Sequence, residues 1–308
     1  MSSTPEITEL ASGLRFPEGP VAMPDGSVLL VEIAAGRVVR VTPGGTVEVV
    51  AEPGGGPNGL AIGPDGAAYL CNNGGCFQFV ELGGLLFPGP LPDSWTGGSI
   101  QRIDLGTFEV TTLYTECDGR PLRAPNDIVF DSAGGFWFTD HGVRQPRSSD
   151  RTGVYYAAAD GSSVREVVFP LDGPNGVGLS PAQDRLYVAE THHGRVWSWP
   201  VVGPGQIAGE NPFGPAGAVL LAGLPGYQLL DSLAVDGEGW VCVGTLVNGG
   251  ITAISPDGET VEHVPTGDPM TTNLCFGGED LRTAYVTLSG TGRLVALRWP
   301  RPGLALSY

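Results

Sequence analysis

The chain is poor in basic side chains. It has 16 Lys and Arg against 33 Asp and Glu in 308 residues, a formal net charge of −17. A nucleic-acid surface needs clustered cations to displace counterions, and the basic residues here are scattered. The same deficit argues against anionic membranes. No apolar run approaches the roughly 18 residues of a membrane-spanning helix. The opening MSSTPEITEL has neither the basic nor the apolar segment of a secretory signal, so the expected compartment is the cytoplasm. An odd cysteine count, five, fits reduced thiols there. Cys71 and Cys76 lack histidines at zinc-finger spacing and read as structural. There is no Gly-x-Ser-x-Gly elbow, phosphate-binding loop or dinucleotide fingerprint, so serine hydrolase, NTPase and dehydrogenase readings have no support. Helical periodicity is nowhere sustained.

What is abundant is turn chemistry and short apolar runs. The 49 Gly and 27 Pro fall between such runs, without a collagen period. Six segments align: FPEGPVAMPDGSVLLVE (16–32), GPNGLAIGPDGAAYLCN (56–72), APNDIVFDSAGGFWFTD (124–140), GPNGVGLSPAQDRLYVAE (173–190), LLDSLAVDGEGWVCVGT (229–245) and TTNLCFGGEDLRTAYVTL (271–288). Each starts with a polar residue, alternates for about four residues, turns, and enters a second apolar strand. Two further strands follow most copies. Four strands per unit at periods of roughly 40–50 residues predict an all-β, six-bladed β-propeller with four-stranded antiparallel blades, one domain over residues 1–308. A sandwich gives no reason for six copies. Glu18 to Asn58 spans 40 residues but Asn58 to Asn126 spans 68, which marks the apolar, Pro-rich stretch 76–95 as an insertion in the second blade. The sixth copy is one strand short, and ITEL (7–10) is expected to supply it and close the ring.

The leading polar positions are Glu18, Asn58, Asn126, Asn175, Asp231 and Asn273, and they hold four of the chain's eight Asn. Asn-Gly is also a hairpin-turn signal. Yet the residue that follows varies among Gly, Asp, Ser and Leu, while a carboxylate or amide oxygen persists. First strands line a propeller's channel, so these oxygens should meet at the axis, where buried carboxylates need a counter-charge. No Lys or Arg occupies a ring position. One divalent cation answers the need: Glu18 and Asp231 neutralise it, and Asn126 and Asn175 complete the ligands. An all-oxygen set favours Ca²⁺, with Mg²⁺ or Mn²⁺ as alternatives. The absence of His and Cys from the ring disfavours Zn²⁺ as the resting ion, although it could substitute. Asn58 and Asn273 are read as contacts for substrate or ligand waters, and Arg123 as a further substrate contact. His141, His192 and His193 follow the second strands of blades 3 and 4 and could border the channel mouth; His263 has no such placement. Asp127 could orient the ligands.

The run FPEGP, the segment PNDIVFDSAGGFWFTD, PNGVGLS followed by LYVAE, and DSLAVDGEGWVCVGT resemble the senescence marker protein (regucalcin)/gluconolactonase/strictosidine-synthase-like superfamily. The resemblance covers about residues 14 to 299. It implies a six-bladed propeller with one catalytic divalent metal at the positions of Glu18, Asn126, Asn175 and Asp231, in a family whose members hydrolyse lactones or organophosphates. The expected activity is therefore a metal-dependent lactonase acting on a small-molecule lactone. The metal would polarise the carbonyl, and Asp231, or a metal-bound water it holds, would serve as base or nucleophile. Alternatives are phosphotriester hydrolysis at the same metal, a calcium-dependent binding propeller without turnover, and a metal-free condensing enzyme; the two-carboxylate ring argues against the last. Arg123 is not at the spacing of sugar-hydroxyl recognition and the insertion is apolar, which points toward a less polar lactone than an aldonolactone. Oligomeric state is not encoded in any feature of the sequence.

Overall fold

Side chains on a strand alternate between faces, so a strand that is apolar at every position must be covered on both sides. The second strands approach this: VLLVE, AYLCN, GFWFTD and VCVGTL, apolar but for one or two residues near their ends, are buried throughout. In the computed structural model, which describes residues 6–308, each such strand lies inside a small antiparallel sheet sandwiched between two others. Six sheets form six blades around an axis. Leu29 and Val31 of blade 1 pack with Leu60 and Leu70 of blade 2, whereas Val28 and Leu30 face the other way, onto Leu294 of blade 6. Equivalent apolar clusters fill the other four gaps.

The innermost strands are Pro17–Ala22, Pro57–Ile62, Pro125–Phe130, Pro174–Leu179, Leu229–Val235 and Thr271–Gly277. Blade 6 contributes only three strands from the end of the chain; its fourth is the N-terminal Ile7–Ala11, paired antiparallel to Arg293–Arg298 with Ile7 opposite Leu297. The closure expected from ITEL is thus present. Among the described residues no helix is long and apolar enough to cross a membrane.

A second repeated polar position fastens blades 1 to 4 near the axis. Glu32 accepts the Arg15 N–H (2.7 Å), Asn72 that of Gly56 (2.9 Å), Asp140 those of Arg123 and Ala124 (2.6 and 2.7 Å), and Glu190 that of Asp172 (2.9 Å). Each closes its second strand and holds the loop that leads into the inner strand of the same blade. That fixes where the axial residues begin.

The C-terminal segment crosses the far end of the ring. Arg301 pairs with Asp236 of blade 5 (2.6 Å) and stacks on Trp240, Gly303 packs on Phe276 of blade 6, Ser307 bonds Gln183 of blade 4 (2.9 Å), and the Tyr308 ring meets Phe130 of blade 3. All five thiols are free, four of them buried.

The N-terminal strand completes blade 6 and ties the two ends of the chain together, so it should carry more stability than its five residues suggest. Deleting residues 1–12 should lower Tm for the whole propeller in one cooperative transition. An unchanged Tm in differential scanning calorimetry would show that the ring holds without its closing strand.

Candidate metal and substrate site on the propeller axis

Every inner strand carries a register break at its leading polar residue: pairing skips between Glu18 and Val21, Pro57 and Leu60, Pro125 and Ile128, Pro174 and Val177, Leu230 and Leu233, and Thr271 and Asn273. A bulge bends the strand and re-aims a side chain. Here it does so six times around one axis, so Asn58-Gly59 and Asn175-Gly176 are bulged strand positions and not hairpin turns. Their glycines serve close approach. A Cβ on Gly59 would lie 2.5 Å from the Asn126 carbonyl, and one on Gly176 2.4 Å from the Leu233 nitrogen. Neighbouring inner strands converge too tightly for a side chain there.

Glu18, Asn58, Asn126, Asn175 and Asp231 line the floor of one cavity of about 500 Å³. Glu18 Oε2 accepts from the Gly19 N–H (2.6 Å) and the Asn273 amide (2.7 Å). Its other oxygen, Oε1, is buried with no partner, and so is Asn126 Oδ1. Asn175 donates to Thr191 Oγ1 (3.2 Å) and accepts from Ser232 Oγ (3.4 Å). Asp127 takes the N–H groups of Ile128 (3.0 Å) and of Val177 in blade 4 (3.3 Å), and it also engages the backbone of Leu233 in blade 5. It is a stitch between three blades as well as a neighbour of the ring.

Desolvation raises the Glu18 carboxyl to about 7. Asp127 is pushed up to about 8 by burial and by the Glu18 charge, and Asp231 goes well above the usual range for the same two reasons, in the same order. No arginine acts on any of the three. Orphaned oxygens beside carboxyl groups that lack a counter-charge are the chemistry a hard divalent cation satisfies. The residues present therefore fit such an ion. Among the described residues no three His, Cys, Asp or Glu side chains converge as a ligand set, so a cation here would depend on amide oxygens beside the two carboxylates.

Two of the expected contacts lie elsewhere. Arg123 does not line the cavity: its guanidinium pairs with Asp150 (2.8 Å) and stacks over Trp95 at 4.5 Å. Asn273 is also outside the lining, with its amide committed to Glu18 and its oxygen to the Leu274 N–H (2.7 Å). Its geometry makes it a holder of Glu18, where contact with substrate or ligand waters was expected. Sequence spacing could not reveal a bond between residues 255 positions apart.

His141 and His192 do reach the mouth. Both line the cavity, their rings 5.5 Å apart and edge to face. The His141 Nδ1 lies 3.1 Å from the Gly142 carbonyl, which can only accept, so Nε2 keeps its lone pair. Burial, then the neighbouring His141, lowers His192 to about 4, and burial lowers His141 as well. Both rings are neutral at pH 7. His193 points away, 3.4 Å from Asp172, and His263 bonds Thr252 Oγ1 on the outer part of blade 5. The insertion also arrives here: Phe77, Phe87 and Pro88 form part of the wall.

The chain matches the family described as the SMP-30/gluconolactonase/LRE-like region over residues 16–290, and it belongs to that family. Among its relatives, the gluconolactonase of Zymomonas mobilis is 26% identical over 319 residues, covering 93% of this chain and 80% of the relative. The lactonase drp35 of Staphylococcus epidermidis is 26% identical over 281 residues, covering 88% and 74%. The calcium-binding protein regucalcin of Agrobacterium tumefaciens shares the fold with a TM-score of 0.73 at 17% identity, covering 98% of each chain.

Raised carboxyl pKa values carry a signed consequence. Between about pH 4 and about pH 8 the folded, metal-free chain keeps protons on Glu18 and Asp127 that the unfolded chain has released. The metal-free protein should therefore lose stability as pH rises through that window, and added Ca²⁺ should restore Tm most at its alkaline end. A metal-free Tm that is flat from about pH 5 to about pH 8 would mean the carboxyl groups already have a counter-charge within the protein.

Proposed function

We propose that the protein is a divalent-metal-dependent hydrolase that opens lactones. The observation that carries this reading is the pair of partnerless buried oxygens, Glu18 Oε1 and Asn126 Oδ1, on the floor of a cavity that also holds Asp231. Membership of a family that includes a gluconolactonase and a lactonase supports the reaction class. Glu18, Asn126, Asn175 and Asp231 would hold the ion, with Ca²⁺ favoured by a donor set made only of oxygens.

When bound, a divalent cation supplies Lewis acidity to the lactone carbonyl and charge to stabilise the oxyanion. The protein's own groups do the rest. Asn58, on the cavity floor beside the proposed ligands, orients the ester. The Asp231 carboxylate, which lines the cavity floor, takes a proton from the attacking water. As the acyl–oxygen bond breaks, the ring oxygen leaves as an alkoxide and recovers that proton from the Asp231 carboxyl. Asn273 and the Gly19 N–H keep Glu18 in one orientation by occupying its other oxygen. His141 and His192, neutral at the rim, add polarity without charge.

The two carboxylates differ in role under this reading, and that difference is measurable. EDTA should abolish turnover while the far-UV spectrum stays that of a folded β-protein. Glu18→Gln should weaken metal binding and recover most activity in excess metal. Asp231→Asn should stay at least about a hundredfold down in kcat even when saturated, because the base is gone. Full and equal rescue of both variants would remove Asp231 as the base and move attention to His141 and His192. Full turnover after verified metal loss would end the metal-dependent reading.

A further inference from the structure

Polar and apolar groups in the cavity are segregated. The floor is the axial ring. One wall, from blades 3 and 4, carries His141, Thr191 and His192. The opposite wall, from blades 5, 6, 1 and 2, is hydrocarbon: Val247, Leu246, Met270, Phe16, Ile33 and Phe87. No Arg or Lys lines the cavity.

Two independent features show that this wall is specifically constructed. The first is its roof. Strands Phe79–Leu82 and Leu85–Pro88 belong to no blade and form a hairpin of their own. The hairpin leaves blade 2, packs Phe79 on Phe16 of blade 1 with ring centroids 4.9 Å apart, and reaches blade 6, where the Leu86 N–H donates to the Gly290 carbonyl (2.8 Å). Leu86 is buried in the same apolar cluster as Phe16, Ile33 and Met270. The hairpin thus bridges three blades over the apolar side of the mouth. The second feature is backbone strain. Phe16 has φ 58° and Val247 has φ 72°. Few side chains tolerate that region, and a β-branched residue tolerates it least. Glycine would relieve the strain at either position, yet both carry bulky side chains that line the cavity. Val247 is held in place by its N–H to the Pro269 carbonyl (2.8 Å).

We infer that the substrate is a lactone bearing one apolar substituent, an alkyl or aryl group, seated on this wall beneath the hairpin. The inference rests on the lactonase reading and narrows it. A sugar lactone carries a hydroxyl on almost every carbon, and each one turned toward the wall would lose water without gaining a partner. A hydrocarbon substituent loses nothing and gains burial, while the carbonyl still reaches the polar floor.

The test is a series of γ-lactones with alkyl chains of increasing length, assayed beside D-glucono-δ-lactone on the metal-loaded protein. kcat/KM should rise about threefold to fourfold per methylene until the chain outgrows the cavity. Val247→Gly should leave Tm unchanged or raise it, because glycine suits the positive φ, and should lower kcat/KM for the longest chain more than for the unsubstituted ring. Phe87→Ala gives the same contrast without touching a strained position. A flat chain-length profile, or glucono-δ-lactone matching the best alkyl lactone, overturns the inference while leaving the lactonase reading intact. If no lactone is opened, the lactonase reading fails, and calorimetric binding of alkyl-substituted lactams decides the wall separately. Affinity that climbs with chain length upholds an apolar subsite, and affinity independent of it overturns one.

Discussion

Acidic side chains withdrawn from water must find a proton or a cation. At the axis of this propeller Glu18, Asp127 and Asp231 crowd together with no arginine acting on them. Much of the surrounding structure bears on that constraint. The inner strands approach closely enough that Gly59 and Gly176 have no room for a Cβ. The same closeness lets Asn273 reach across from blade 6 to Glu18, and Asp127 bind backbone in blades 4 and 5. Hydrogen bonds position the carboxyl groups but leave their charge unmet. The six apolar interfaces between blades supply the stability that lets this arrangement persist.

Strand direction then determines which end of the ring does chemistry. Inner strands begin at the end where second strands finish, so the bulged ring residues share that end with the loops after the second strands. His141, Thr191, His192 and Val247 all come from those loops, and so does the blade 2 hairpin. The floor is built on paired strands that packing holds still, whereas the walls are built on connections whose length and polarity can vary without disturbing the blades. Under the proposed function, metal chemistry and substrate preference would in this way be carried by different parts of the chain.

The sequence made the propeller legible for a physical reason: burial on both faces forces an apolar second strand, and doing so in every blade leaves a visible period. The ring was legible because residue type persisted at Glu18, Asn58, Asn126, Asn175, Asp231 and Asn273 while the following residue did not. What sequence could not give were partners across the ring. Asn273 belongs to Glu18, and Arg123 belongs to Asp150 and Trp95, through contacts that only closure and the insertion create. The C-terminal segment had no repeat to identify it, yet it touches four blades. Glu32, Asn72, Asp140 and Glu190 stood at one position of the repeat in plain view, but their work, bonding the backbone that leads into each inner strand, is invisible without it.

Several unfavourable features of the molecule lie around one cavity. The carboxyl groups without a counter-charge lie at its floor, the strained φ angles of Phe16 and Val247 at its apolar wall, and the partnerless His192 nitrogen at its polar wall. The opposite end of the ring holds the reverse: Asp236 is met by Arg301, Trp240 is covered by the same guanidinium, and Phe130 is capped by Tyr308. Asp236, Trp240 and Phe130 at the far end thus find their partners within the chain. Under the proposed function, groups at the near end would be satisfied from outside the chain, by a cation at the carboxyl oxygens and by hydrocarbon against the wall. Unmet charge below and unmet apolar surface beside it describe a molecule with one polar, electron-rich end and one greasy end, and a lactone with a hydrocarbon substituent has that shape.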